Sequence, residues 1–333
     1  MKNLSLLFFC LLCVACSQTP QIEHDVVEPT VIFNDIESRM PGSLMILNHY
    51  AIWSDPLSAD DQVHVINLQT NQEIGKFLDI GNGPNEFVTP SYCLSSDNHV
   101  VVYDTSQDKM SFYSIDSLEK QKNPLLMTIK AGTKGYTRII DTQGQNFVKF
   151  KPDNKYPFLY DQQPFGKCLF EREEELNNRF DVLQGHIAYN RDNQTFVYSA
   201  FDFPYIAAYK KEEQSDNFRL LWERKGDIDY YVSEGKMILD RTRMGAMELA
   251  LTKDYIVTVQ RDYQTDPTDE SRVGRDFSLC PQTLFVYDYQ SNLKRIIDFK
   301  MPILRIGSDI KNNTIYAIVV NPDFCLVKYD ILQ

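Results

Sequence analysis

The chain has 333 residues, of which 43% are hydrophobic, and a formal net charge of −12. That apolar share supports a large core, while a negative surface with no Lys/Arg run or basic helix repels phosphate backbones and excludes nucleic acid as a partner. With 19 Tyr and 20 Phe against 14 Gly and two Trp, the composition fits strands packed with aromatic side chains.

In chain order, Lys2 is the only charge ahead of an apolar run from Leu4 to Ala15 that ends in Cys13-Val14-Ala15-Cys16. The run is too short to span a bilayer but suits a signal-peptide core. It resembles a bacterial lipoprotein signal, in which small residues precede the Cys that becomes the lipidated first residue; Ala15 and Cys16 match, and Cys13 departs where Leu usually stands. The resemblance implies removal of residues 1–15, acylation of Cys16 and a membrane partnership through that anchor, on the periplasmic or outer face of an outer membrane. Ordinary secretion with cleavage nearby is the alternative. Residues 16–28 then read as a polar tether, and loss of Lys2 makes the mature net charge −13.

From Pro29 onward the reading is all-β. Pro29–Asp35 is an orphan strand-like run, and after it one phrase of alternating apolar residues, ending on an aromatic or aliphatic residue and most often Asp, returns six times. Its penultimate positions are 66, 115, 160, 209, 287 and 329, so the gaps are 49, 45, 49, 78 and 42. A period near 45 built of period-2 strands is the signature of propeller blades, each a four-stranded meander with strand A innermost and strand D outermost. With the phrase as strand C, blade 1 takes Leu44–Leu47, Tyr50–Trp53, Val63–Leu68 and Glu73–Asp79; blade 2 takes Ser91–Ser95, Val100–Tyr103, Met110–Ile115 and Leu125–Lys130. Blade 3 takes Tyr136–Asp141, Asn146–Phe150, Phe158–Tyr160 and Lys167–Glu171; blade 4 takes His186–Tyr189, Thr195–Ala200, Tyr205–Tyr209 and Phe218–Glu223. Blade 5 takes Met247–Leu251, Tyr255–Gln260, Thr283–Tyr287 and Lys294–Phe299, and blade 6 has only Ile303–Gly307, Thr314–Val319 and Cys325–Tyr329. The missing fourth strand leaves an open edge, and Pro29–Asp35 is expected to fill it. The fold class is thus a six-bladed β-propeller over residues 29–333, closed by an N-terminal strand.

The connector between blades 1 and 2, Gly81-Asn82-Gly83-Pro84-Asn85-Glu86-Phe87, resembles the Gly-x-Gly-Pro-x-Glu-Phe motif of the TolB-like six-bladed propeller lipoproteins of Gram-negative gut anaerobes. The likeness covers nearly the whole mature chain in layout and these seven residues as a sharp motif. It implies a fold and an envelope address rather than an activity. Physically, two Gly and a Pro make a fixed turn and Phe87 anchors it; Glu86 either caps backbone N–H groups or points at the axis.

Four Cys remain beyond Cys16: Cys93, Cys168, Cys280 and Cys325. No C-x-x-C spacing suggests a metal knuckle. Cys280 and Cys325 stand at equivalent places in successive repeats and are the best-placed disulfide pair, with buried free thiols as the alternative.

In a meander blade, B–C and D–A loops leave one face of the disc (here the connector face) and A–B and C–D turns the other (the turn face). The two long insertions, Lys225–Ala246 (D–A) and Asp262–Gln282 (B–C), should therefore rise together on the connector face. Tyr230, Tyr231, Arg241 and Arg243 in the first, and Arg272 and Arg275 in the second, suit recognition of a glycan, a peptide or an anionic molecule, with Asn85 and Glu86 at the rim. Asp266, Asp269 and Glu270 offer hard oxygen ligands in a spacing that matches no defined Ca²⁺ loop, so the expectation is no metal and no cofactor. No catalytic motif occurs, and of five His only His186, on an inner strand, approaches the axis. The reading is a non-catalytic binding or scaffolding propeller, with a glycan-active lyase or hydrolase as rival. Two or more axial carboxylates beside His186 would favour the rival; an aliphatic and aromatic axis with isolated Arg would favour binding.

Overall fold

A computed structural model describes residues 22–58, 60–144, 146–167, 169–170, 176–212, 217–239, 243–266 and 276–332. Residues 1–15, Cys16, Cys168, Arg241, Asp269, Glu270, Arg272 and Arg275 lie outside the described residues.

Two short strands come first, β1 (Glu23–Val26) and β2 (Thr30–Phe33). Blade 1 is β3 (Leu44–Leu47), β4 (Tyr50–Ser54), β5 (Val63–Asn67) and β6 (Gln72–Phe77). Blade 2 is β7 (Ser91–Leu94), β8 (Val100–Asp104), β9 (Lys109–Tyr113) and β10 (Leu125–Lys130), with helix α1 (Ile115–Glu119) before its last strand. Blade 3 is β11 (Arg138–Gln143), β12 (Asn146–Phe150), β13 (Phe158–Tyr160) and β14 (Gln163–Phe165), followed by α2 (Arg179–Val182). Blade 4 is β15 (Gly185–Asn190), β16 (Thr195–Ala200), β17 (Tyr205–Lys211) and β18 (Phe218–Lys225), followed by the hairpin β19 (Tyr230–Ser233) and β20 (Lys236–Leu239). Blade 5 is β21 (Glu248–Leu251), β22 (Tyr255–Gln260), β23 (Thr283–Asp288) and β24 (Leu293–Asp298); blade 6 is β25 (Ile303–Ser308), β26 (Thr314–Val320) and β27 (Phe324–Asp330). The inner strands β3, β7, β11, β15, β21 and β25 touch in that order and back to β3, which makes the six-bladed ring.

The recurring phrase is fixed by its last residue. Asn67 Oδ1 accepts the N–H of Gln69 at 2.9 Å, Asp288 Oδ1 accepts those of Gln290 at 3.0 Å and Asn292 at 2.8 Å, and Asp330 Oδ1 accepts that of Leu332 at 3.0 Å. Each is an Asx turn ending strand C.

The ring closes as the sequence predicts. Strand β2 lies antiparallel to β27, with Val31 opposite Val327, and supplies the fourth strand of blade 6. The chain does more than expected just before it: residues 23–26, read as part of a tether, pair in parallel with β24 as a fifth strand of blade 5. Arg295 on β24 explains the capture. It donates from Nη2 to Asp25 Oδ2 at 2.7 Å and from Nη1 to the carbonyl of Ile331, so one guanidinium holds both ends of the chain.

Several strand ends shift by one or two residues, and two boundaries differ in kind. The fourth strand of blade 3 is Gln163–Phe165 rather than Lys167–Glu171, because Asp161 and Gln162 both take positive φ (40° and 67°) and close a two-residue hairpin; Phe165 then stacks into the Phe158 cluster at 5.2 Å. In blade 2, strand C stops at Tyr113, since Ser114 accepts the N–H of Ser117 at 3.2 Å and starts α1. Cys280 and Cys325 are free thiols, as is Cys93, so the candidate disulfide is not formed. Burial pushes the Cys93 thiol up to about 12.

Candidate functional site

The connector motif is a self-contained knot. Phe87 is fully buried, its N–H donates to the carbonyl of Asp79 at 3.2 Å, and its own carbonyl accepts the N–H of Gly81 at 3.0 Å. The Glu86 carboxylate folds back inside the loop and accepts the N–H of Gly83 at 2.8 Å. A Cβ on Gly81 would fall within that carboxylate, and one on Gly83 would lie 2.8 Å from its carbon. Both glycines are thus explained by the curl of Glu86. Lys109 Nζ lies 4.5 Å over the Phe87 ring and donates to the carbonyls of Gly83 and Glu86. Asn85 is exposed beside it.

The two insertions share the connector face, since Met244 N–H in the first donates to Tyr263 Oη in the second at 2.8 Å. Tyr230 packs edge-on against Phe170 at 5.2 Å, whereas Tyr231 and Val232 are 64% and 55% exposed, and Arg243 is exposed. Asp266 is no free cation ligand: it accepts Thr283 Oγ1 at 2.7 Å and the N–H groups of Asp262 and Gln282 at 3.1 and 3.2 Å, pinning the ends of the second insertion. Among the described residues no group of three or more His, Cys, Asp or Glu is placed to hold a metal.

The main cavity lies on the axis and opens toward the turn face. It has a volume of about 460 Å³ and is walled by side chains of all six inner strands of the ring, among them Met45, Leu47, Leu94, Ile140, Ile187, Leu249 and Ile306, with Tyr92, Tyr103 and Tyr189. Its mouth is a ring of polar contacts between A–B turns: Asn190 Nδ2 to the carbonyl of Thr252 at 3.1 Å, Asn313 Nδ2 to Asp254 Oδ2 at 2.7 Å, and Lys311 Nζ to Asn48 Oδ1 at 3.0 Å. Arg191 crosses from blade 4 to blade 2 and donates to the carbonyl of Ser96 at 2.9 Å. Asp141 takes the N–H of Ser96 at 2.7 Å on Oδ2; its Oδ1 has no partner among the described residues, although the residue is 7% exposed and lines the cavity. Desolvation raises the Asp141 carboxyl above its ordinary value, against the hydrogen bonds of Ser96.

At the far end the first halves of the inner strands bring charged groups to the axis. Arg138 lines the cavity, with its guanidinium 5.4 Å over the Phe201 ring. Arg305 Nη1 donates to Glu248 Oε1 at 3.2 Å and Nε to the carbonyl of Gly42. Burial raises Glu248 to about 7 despite the opposing pull of Arg305 and Arg138. His186 Nε2 donates to the carbonyl of Met247 at 2.6 Å, and burial, reinforced by Arg138 and Arg305, drives it down to about 3, so it is a neutral imidazole.

Sequence reasoning reached His186 and placed its candidate site at the opposite mouth; it did not single out Arg138, Asp141, Arg191, Glu248 or Arg305. The signal was present: Arg138, Glu248 and Arg305 are charges set inside otherwise apolar inner-strand phrases at equivalent blade positions.

A family model described as TolB-like 6-blade propeller-like matches residues 24–307. No curated protein shows significant similarity to the sequence. Among solved structures, the Cps50 (Swd1) β-propeller domain of Myceliophteria thermophila aligns at 9% identity and a TM-score of 0.45 over 89% of this chain and 98% of that one. Raptor of Chaetomium thermophilum aligns at 11% identity and a TM-score of 0.48 over 90% of this chain and 29% of that one. A functionally unknown protein from Desulfotomaculum acetoxidans aligns at 12% identity and a TM-score of 0.41 over 76% of this chain and 70% of that one.

Proposed function

The chain belongs to the TolB-like six-blade propeller family, and from that premise we propose that it is a non-catalytic binding protein of the bacterial cell envelope whose ligand enters the axial cavity. One observation carries the reading: the axis holds a cavity of about 460 Å³ with a polar mouth, an aliphatic and aromatic middle and Arg138 at its far end. That size lies within the range of small-molecule sites. Glu248, the carboxylate at that end, is already held by Arg305, whereas glycoside hydrolysis by the usual route needs two carboxylates facing one bond. Anchoring through a lipid on Cys16 is part of the same proposal, supported by the Ala15-Cys16 pattern; radiolabelled palmitate incorporated by the wild type but not by Cys16→Ala tests it.

The connector face supports a second role, docking of a peptide, glycan or outer-membrane protein on Tyr230, Tyr231 and Arg243, with Arg241, Arg272 and Arg275. Its support is the exposed Tyr231 and Val232 on a hairpin joined to the second insertion. A thermal-shift panel of glycans, peptides and small organic acids on three proteins separates the sites. Ala188→Trp fills the cavity wall, and deletion of residues 228–239 removes the hairpin. Stabilisation lost only in Ala188→Trp supports the cavity; stabilisation lost only in the deletion moves the site to the connector face. Turnover of a glycan by the wild type would replace binding with the lyase or hydrolase reading.

A further inference from the structure

The charge balance inside the cavity contradicts that of the whole molecule. The chain carries −12 overall, yet the cavity lining is balanced, with Arg138, Arg191 and Lys311 against Asp141, Asp192 and Asp309; at the Arg138 end of the axis the carboxylate of Glu248 is already bonded to Arg305 at 3.2 Å. The Arg138 side chain makes no hydrogen bond or ion pair among the described residues; it lies against the Phe201 ring, 5.4 Å away, and acts on Glu248 only through space. A cation–π contact supplies no oxygen acceptor, so the guanidinium N–H donors remain for one. Glu248, the carboxylate that Arg138 acts on electrostatically, is hydrogen-bonded to Arg305 instead, so the Arg138 donors face the cavity for a ligand to use. At the other end, Asp141 offers the unpartnered Oδ1 described above, which disfavours a second negative charge at that level. Between the two ends the wall is apolar.

We infer that the cavity binds an amphiphilic organic anion: one terminal anionic group on the donors of Arg138, and an apolar body along Ile140, Ile187 and Leu249. A planar carboxylate matches the guanidinium fork, and a phosphate monoester presents the same acceptor edge. The inference rests on the cavity reading above and adds the ligand class to it.

The test is isothermal titration of the mature chain with straight-chain carboxylates from butyrate to decanoate, the matched alcohols and the matched alkyl phosphates. Affinity should rise roughly fourfold per added methylene until the cavity is full, and each acid should bind at least ten times more tightly than its alcohol. Arg138→Gln should remove that preference, and Arg138→Lys, which keeps the charge but loses the fork, should restore only part of it; the acid-to-alcohol comparison on the wild type needs no variant. Alkyl phosphates that outbind the carboxylates and depend on Arg138 identify the head as phosphate within the same inference. Equal binding of acids and alcohols, wild-type binding by a folded Arg138→Gln, or no binding by any compound would overturn it. Alcohols and acids that bind alike and are both lost in Ala188→Trp would sink the anionic head while leaving the cavity as the site.

Discussion

The connector knot gives the sharpest test of how a short motif specifies structure, through a cycle between Gly81 and Glu86. Replacing Glu86 with Ala removes a charge-assisted bond to Gly83 N–H; for a half-buried carboxylate this costs about 1–2 kcal/mol. Replacing Gly81 with Ala sets a Cβ where the Glu86 carboxylate lies, so the side chain must leave, and the variant loses the same bond plus the distortion of the loop, about 2–3 kcal/mol. In the Glu86→Ala background the nearest remaining atom to the new Cβ is Cβ of residue 86 at 3.5 Å, an ordinary contact. There Gly81→Ala should cost nothing, or stabilise by about 0.5 kcal/mol through the stiffer unfolded chain. The expected coupling is therefore about 2 kcal/mol, read from urea melts of the four proteins at constant m-value. Additive losses would show that the glycines serve something other than room for Glu86. Ligand binding retained by the double variant would add that Glu86 is a loop-builder and not a contact.

Asp104 is a second buried anchor: it is fully buried and takes six hydrogen bonds, from Val88, Thr89 (twice), Ser106 (twice) and Gln107. Burial alone would raise its carboxyl, but these donors hold it down to about 2; its stabilisation is thus complete above the unfolded value near 4 and lost as pH falls toward 2. Asp104→Ala should cost about 3–5 kcal/mol and flatten acid unfolding in that window, seen by circular dichroism. Arg295→Ala should cost about 2–3 kcal/mol and expose the N-terminal strand, so limited proteolysis should cut within residues 22–28 several-fold faster than in the wild type. The axial pair gives opposing pH effects. His186, lowered to about 3, contributes stability that is whole above its unfolded value near 6.5 and lost as pH falls toward 3. Glu248, raised to about 7, contributes stability present below its unfolded value of 4.5 and lost as pH rises through 7. Glu248→Gln should therefore abolish a decline in melting temperature between pH 5 and 8, and an unchanged decline would place its cause elsewhere.

The blade count, the closing strand and the parity of the insertions were legible because each depends on local pattern: period-2 strands, Asx residues that end them, and the alternation of loops between two faces. The tether was misread at residues 23–26 because Glu-His-Asp-Val has no strand signal of its own; what makes it a strand is the open edge of β24 and Arg295, 270 residues away from Asp25. The hairpin of blade 3 was misplaced because Asp161 and Gln162 take left-handed backbone without a glycine. The cavity was hidden for a related reason. Length draws attention to loops, and the 78-residue gap pointed to the connector face, while a cavity made by six short inner strands has no contiguous sequence.

What distinguishes a site from a core in this fold is the treatment of charge on the inner strands. A propeller axis surrounded by wholly apolar strands would simply be filled, as the interfaces between blades are filled by Phe150, Phe158, Phe165 and Phe196 in one aromatic cluster. Here one end of the axis is occupied by groups whose ordinary charge states are displaced, a neutral His186 and a carboxyl at Glu248 raised to about 7, and those two perturbations arise from burial around Arg138 and Arg305. Structural ion pairing accounts for Arg305 through Glu248. It does not account for Arg138, whose guanidinium makes no hydrogen bond or ion pair with a carboxylate among the described residues and lines the cavity. The protein thus holds a guanidinium at the end of a cavity whose middle is apolar, and the binding proposal rests on that arrangement.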